Sequence, residues 1–325
     1  MGIPRRRFLH LAAGAAALPL VPRGAHAQSY PTRPVRVIVP FAAAGGADIV
    51  ARLIGASLSQ RLGQPIVVEN RPGAGGNIAT EAVVRAAPDG HTLLLVTGVN
   101  AWNATLYDNL NFNFIRDIAP VATIARAAFV MEVIPSLPAR TVPEFIAYAK
   151  ANPGKVNMAS GGIGSPQHFS GELFRMMTGI DMVHVPYRGT APALNGMFAG
   201  EAQVMFDTVS TSIEHIKAGK LRALAVTSPG RSDLMPDVPI VGDFVPGYEA
   251  TGWLGVGVPK NTPAQIIDRL NREINTAIAD ATLKMRLAAI GYAAFAGSPA
   301  DFGNIIAADT EKWAKVIKFA GIKPE

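Results

Sequence analysis

The stretch Pro40-Phe41-Ala42-Ala43-Ala44-Gly45-Gly46-Ala47-Asp48 decides how this chain is read. The apolar run Val35-Arg36-Val37-Ile38-Val39 precedes it and reads as a buried strand. Ile49, Val50, Leu53, Ile54, Leu58 and Leu62 follow at the spacing of one helical face. The pattern is a strand, a loop of small residues, then a helix starting near Gly46. The first turn of a helix carries N–H groups with no internal partner, and the aligned peptide dipoles make that end partly positive. With only alanine and glycine lining the loop, an anion can come close to those N–H groups. A tight turn whose glycines serve chain geometry alone gives the same pattern.

A second stretch repeats the device. Val156-Asn157-Met158-Ala159 reads as a strand and leads into Ser160-Gly161-Gly162-Ile163-Gly164-Ser165-Pro166-Gln167-His168. Ser165 suits an N-cap and Pro166 the first helical position. Phe169, Leu173, Phe174 and Met177 continue with helical spacing. Neither loop holds an acidic residue before its helix begins. Two helix ends, one per domain, are expected to face each other across a cleft and hold one carboxylate.

The chain opens with Arg5-Arg6-Arg7-Phe8-Leu9-His10, an apolar run from Leu11 to Leu20, and Ala25-His26-Ala27. That is a basic segment, a short hydrophobic segment and a small-residue cleavage signal, so residues 1–27 read as an export signal cleaved after Ala27. The paired arginines resemble a twin-arginine signal, and a plain Sec signal fits as well. The hydrophobic run is too short to span a bilayer. Removing the signal takes away Arg5, Arg6, Arg7 and Arg23 and no acid, so most of the formal charge of +6 belongs to it. The remaining chain is near neutral, which argues against a nucleic-acid partner. With no cysteine there is no disulfide, thiolate nucleophile or lipid-anchoring thiol.

Along the mature chain, strand and helix patterns alternate. Ile66-Val67-Val68-Glu69 is a strand running into a third glycine turn, Asn70 to Asn77, and Thr92 to Val96 is another strand. This alternation implies a parallel sheet covered by helices on both faces, with ligands beyond the carboxyl ends of its strands. Asn100 to Ile115 shows no clear period, and its Trp102 and Tyr107 suit either a pocket wall or local packing. Ile118 to Ile134 reads as extended chain crossing to a second domain. There the strands Met182–Val185, Val204–Phe206 and Leu221–Val226 alternate with helices. Trp253 to Pro259 reads as the strand returning to the first domain, ahead of helices starting near Pro263 and Pro299. The expected organisation is domain 1 from 28–128 plus 251–325 and domain 2 from 129–250, a two-lobed α/β binding-protein fold. Two doubly wound sheets would be joined by a two-segment hinge.

Enzymatic machinery is hard to assemble from this sequence. His91, His168, His184 and His215 are not at metal-ligand spacing, and no P-loop or dinucleotide fingerprint is present, so no cofactor and no metal is expected. A Ser160 or Ser165 nucleophile would need a base that the sequence does not place. His168, in the first turn after Ser165, reads as a ligand donor or a packed side chain. Asp48 and Asp207 suit an amine or hydroxyl, or for Asp48 the N–H groups of its own loop. Arg71 and Arg188 suit a distal carboxylate. Tyr187 suits either the cleft wall or the space between domains.

The ordered set of motifs resembles the Bug (TctC-like) extracytoplasmic solute receptors of tripartite tricarboxylate transport systems. The set is Pro40 to Asp48 with Ala51-Arg52, Asn70 to Gly76, Ser160 to His168, His184-Val185-Pro186-Tyr187-Arg188-Gly189, Gly219 to Thr227, and Leu234 to Pro239. The likeness runs through Trp253 to Trp313. It implies a two-lobed periplasmic receptor, monomeric and non-catalytic, that delivers a small carboxylate to membrane subunits. It also implies that ligand carboxylates are held by backbone N–H groups of Phe41, Ala42, Ala43, Gly46, Ala47 and Asp48 and of Ser160, Gly161, Gly164 and Ser165, helped by waters. His168, Tyr187 and Asp207 complete the expected site. The family often has proline or glycine among positions 42–44 and a hydroxyl residue at Ala47. Their absence here favours an apolar or aromatic acid over a hydroxylated one. A sensor of the same fold signalling to a membrane kinase and an exported serine hydrolase are the rival readings.

Overall fold

The structure is a computed structural model that describes residues 30–107 and 109–323. The expected signal and its cleavage site lie outside the described residues. β1 (Val35–Val39), β2 (Ile66–Asn70) and β3 (Thr92–Thr97) pair in parallel with β1 in the middle. Val37, Ile38, Val39 and Leu93 to Val96 are buried, as central strands covered on both faces require. α1 (Gly46–Leu62) connects β1 to β2 and buries Val50, Ile54 and Leu58. Gly63 ends it in the left-handed conformation, φ 69°, which lets its N–H close onto Ser59 O. α2 (Asn77–Val84) leads to β3.

The segment without a clear sequence period contains two helices, α3 (Gly98–Leu106) and α4 (Phe114–Asp117). A capping box starts α3: Thr97 N–H donates to Asn100 Oδ1 at 2.8 Å, and the Thr97 side chain accepts from the Asn100 backbone. Asn100 and Asn103 on this helix are buried and bonded inward, which conceals its apolar face from a hydropathy reading.

β4 (Ile118–Val133) follows, sixteen residues long. Next come α5 (Val142–Ala151), β5 (Asn157–Ser160), α6 (Pro166–Thr178), β6 (Val183–Pro186), α7 (Thr190–Ala199), β7 (Val204–Thr208), α8 (Val209–Lys217) and β8 (Arg222–Val226). The chain closes with β9 (Thr251–Pro259), α9 (Ala264–Ala279), α10 (Ala281–Ala289), β10 (Tyr292–Ala294) and α11 (Pro299–Ala320).

Where two parallel sheets are expected, the strands form one mixed path, β2-β1-β3-β9-β4-β7-β5-β6, with β8 and β10 beside β4. The reason is the length of β4. Its residues Ile118 to Ala128 pair antiparallel with β9, and Phe129 to Val133 pair antiparallel with β7 and β8. The ladder changes partners at Ala128/Phe129. The pairing also fixes strand direction. β1 and β3 run the same way as β4, towards that junction, because β9 is antiparallel to both β3 and β4. β5 and β7 run against β4, so their carboxyl ends face the junction from the other side.

Beside the junction, Thr227 ties three segments together. Its hydroxyl donates to Ala250 O at 2.5 Å and lies 3.1 Å from Phe129 O, and Phe129 N–H donates back to it at 3.2 Å. An aromatic cluster also joins the two halves. Trp102 of α3 packs on Phe169 of α6 at 4.4 Å and on Trp313 of α11 at 5.3 Å between ring centroids. Thr227→Val keeps the shape and removes a buried hydroxyl, leaving Phe129 and Ala250 short of partners. A loss of about 1–3 kcal/mol is expected in urea unfolding, with m unchanged.

Candidate functional site

At the end of β1, Ala44 adopts φ 66°, a left-handed turn that brings its N–H onto Asp48 Oδ2 at 2.9 Å. Arg52 Nε donates to the same oxygen at 3.0 Å, and Asn70 Nδ2 donates to Asp48 Oδ1 at 3.0 Å and to Phe41 O at 3.0 Å. The bond from Arg52, partly opposed by burial, holds the Asp48 carboxyl below the usual range. Asp48 is therefore placed as the organiser of its own loop, with both oxygens committed. That leaves the helix end open. Gly45 is the N-cap and has no side chain to cap with, and among the described residues the N–H groups of Gly46, Ala47 and Asp48 donate to nothing in the protein. Ala42, Ala43 and Ala44 are exposed beside them.

The loop after β5 is built from the histidines behind it. Ser160 Oγ lies 2.6 Å from His184 Nε2 and accepts from Gly162 N–H at 3.2 Å. Gly164 N–H donates to His168 Nδ1 at 3.1 Å, and the Ser165 hydroxyl caps the His168 N–H. Gly162 and Gly164 sit at φ 130° and 76°, which an L side chain would strain. The two imidazoles stack face to face with centroids 3.7 Å apart. Burial, with His184 and Arg175 alongside, pushes His168 down to about 3, and burial and Arg175 push His184 down to about 4. Both rings are neutral near pH 7. Among the described residues the N–H groups of Gly161 and Ile163 are left without a partner.

A base is thus placed beside Ser160, which the sequence did not reveal. The pair does not make a nucleophile. Ser160 is fully buried, its oxygen is shared with Gly162, and His184 has a stacked histidine beside it where a triad needs an orienting carboxylate.

Three residues read as direct contacts are placed elsewhere. His168 is buried and spends Nδ1 on the loop. Tyr187 lays its ring against Gly196 of α7 and donates its hydroxyl to Glu201 at 3.1 Å, beyond the far end of that helix. Asp207 is fully buried. Its Oδ1 accepts from Gln167 Nε2 at 3.2 Å and Thr208 N–H at 2.7 Å, and Gln167 also donates to Thr190 Oγ1 at 3.0 Å. This buried amide and carboxylate bind together the starts of α6, α7 and α8. Burial pushes Asp207 up to about 6. Burial and the field of Asp207 raise Glu132, which shares Ser212 with it, well above the carboxylate range.

Sequence reasoning missed Gln167 and Tyr292. A β-carbon added to Gly46 would lie 2.8 Å from the Tyr292 hydroxyl, so this phenol stands against the open start of α1. No motif marks Tyr292, because the strand that holds it has three residues. Phe41 is half-buried at the loop entrance, and Ile163 projects 42% exposed from the second loop. Among the described residues no group of three His, Asp or Glu side chains is placed to hold a metal.

This α/β fold, with a glycine loop leaving each of two opposing strand edges, is that of the periplasmic binding proteins, as its likeness to solved structures shows. Comparison with known proteins gives the family. The model of the tripartite tricarboxylate transporter family receptor, TctC, matches residues 50–322, and the chain belongs to that family of non-enzymatic periplasmic solute receptors. Protein BugT of Bordetella pertussis is 36% identical over 300 residues, covering 91% of this chain and 92% of BugT. A protein of R. palustris solved with adipate is 36% identical with a TM-score of 0.77, covering 91% of this chain and 100% of its own. MatC from Rhodopseudomonas palustris with bound malate is 31% identical with a TM-score of 0.73, covering 89% and 100%.

The neutral histidines give a pH signature. Their folded pKa values, about 3 and 4, lie below the unfolded value of about 6.5. As pH falls from about 6.5 towards 4, the unfolded chain takes up protons that the fold refuses, so these groups make the protein progressively less stable. Replacing His168 by Gln is expected to flatten that acid limb. The measurement is the difference in melting temperature between pH 7 and pH 5, wild type against variant, which cancels the opposing contribution of Asp207.

Proposed function

We propose that this chain captures a small carboxylate between two lobes that meet at Ala128/Phe129 and Thr227–Ala250, and delivers it to transporter membrane subunits in the periplasm. One lobe contains β1–β3, β9 and the first part of β4. The other contains β5–β8 and the rest of β4. What supports this reading is that the open N–H groups at Gly46, Ala47 and Asp48 and those at Gly161 and Ile163 follow strands, β1 and β5, whose carboxyl ends lie on the junction side. N–H groups without protein partners at a helix start favour a carboxylate through the dipole and charge-assisted hydrogen bonds. The relatives solved with adipate and malate support a carboxylate ligand. Ala42-Ala43-Ala44 and Ala47 in the first loop, with Phe41 at its entrance and Ile163 exposed on the second loop, favour an acid with an apolar body. The mature receptor is a monomer beginning after Ala27.

Calorimetry against mono-, di- and tricarboxylates, with nicotinate and terephthalate included, tests the reading. Saturable binding of at least one is expected, and a folded protein that binds none counts against it. Ala47→Pro removes one N–H from the first turn, where proline is tolerated. One charge-assisted bond is worth about 1.5–3 kcal/mol, so affinity should fall at least about tenfold with little change in melting temperature. Unchanged affinity would move the carboxylate away from α1.

A further inference from the structure

Arg126 lies on β4, two residues before its ladder changes partners. Its guanidinium carbon sits 3.4 Å from the centre of the Phe295 ring, and the side chain is half-buried. Among the described residues this guanidinium forms no ion pair and no hydrogen bond. The two acids that act on it electrostatically, Glu249 and Asp309, are bonded elsewhere: Glu249 to Thr251, and Asp309 to Trp253 and Lys312. A guanidinium held over an aromatic face keeps its fork of N–H donors in place and in need of acceptors.

Those donors border a cavity of about 480 Å³, within the size range of small-molecule sites. Its walls come from both halves of the molecule: Lys284, Tyr292 and Ala293 from one, Val209, Arg231 and Ser232 from the other. Three cations, Arg126, Arg231 and Lys284, line it against one acid, Asp233. Tyr292 borders both this cavity and the start of α1, so the two spaces adjoin without sharing their anion-binding groups.

We propose that this cavity is a second anion site, separate from the glycine loops. It takes a small organic carboxylate, with the charge on Arg126 and the apolar body against Ala128 and Val209. An occupant would be held by residues of both halves, so its binding is linked to how they meet. The site stands independently of the carboxylate reading of the glycine loops.

Benzoate is the probe, followed by side-chain Nε–H and backbone amide NMR signals in one titration. The Arg126 Nε–H signal is assigned by its loss in Arg126→Lys. A saturable shift of that signal is expected, larger than that caused by sodium chloride at equal ionic strength. Arg126→Leu should weaken the response of the cavity amides at least tenfold. Lys284→Glu, an exposed change on the cavity rim that leaves the fold intact, should weaken it several-fold. Ala47→Pro should leave the Arg126 response in place even where it abolishes binding at the loops, which separates failure of one site from failure of the other. The proposal is overturned if the Arg126 signal shifts no more than in sodium chloride, or if both cavity variants keep wild-type benzoate affinity.

Discussion

One strand belongs to two hydrogen-bond ladders, and the rest of the molecule is arranged by that constraint. β4 pairs with β9 up to Ala128 and with β7 and β8 from Phe129 onward. Parallel neighbours inherit their direction from it, so the loops that follow β1, β3, β5 and β7 leave their strands on the side of the point of exchange. That the glycine loops after β1 and β5 leave on the junction side follows from backbone pairing and owes nothing to their own sequence. Thr227, a single buried hydroxyl, secures the same point from the side.

At the loops, the chemistry lies in what the side chains leave free. Asp48 has the right position to cap α1, and Arg52 and Asn70 draw its carboxylate to the other side. In the second loop the histidines accept or share the polar groups that a ligand would otherwise meet, and burial keeps them uncharged. Charge is removed from the walls, and backbone amides are left as the donors. Gln167 and Asp207, buried and bonded to each other, set the relative placement of three helix starts.

Much of this was legible in the sequence. β1 and β5, their glycine loops and the caps at Ser165 and Ser298 follow from periodicity and turn chemistry. The helix Gly98–Leu106 was hidden because its inward face carries Asn100, which donates to Thr80, and Asn103, which donates to Asn77 and the Gly75 carbonyl, so no apolar stripe appears. The role of His184 was hidden because its partner, Ser160, is distant in sequence and meets it only through the parallel pairing of β5 and β6. Tyr187 and Asp207 stand at strand ends near the loops, where sequence position suggests contact, but side-chain direction and burial decide otherwise. Tyr292 sits in a strand too short to leave a pattern. The sequence carries local periodicity well, and these residues depend on long-range pairing.

The cluster of Trp102, Trp313 and Phe169 also serves as an optical gauge. Two of the three tryptophans in the chain lie within it, with indole centres 5.3 Å apart. Phe169 of the other half wedges against both of them. A sliding or tilting of one half against the other would alter the polarity and quenching around both fluorophores together. The native emission spectrum therefore reports on interdomain geometry without any dye or engineered label.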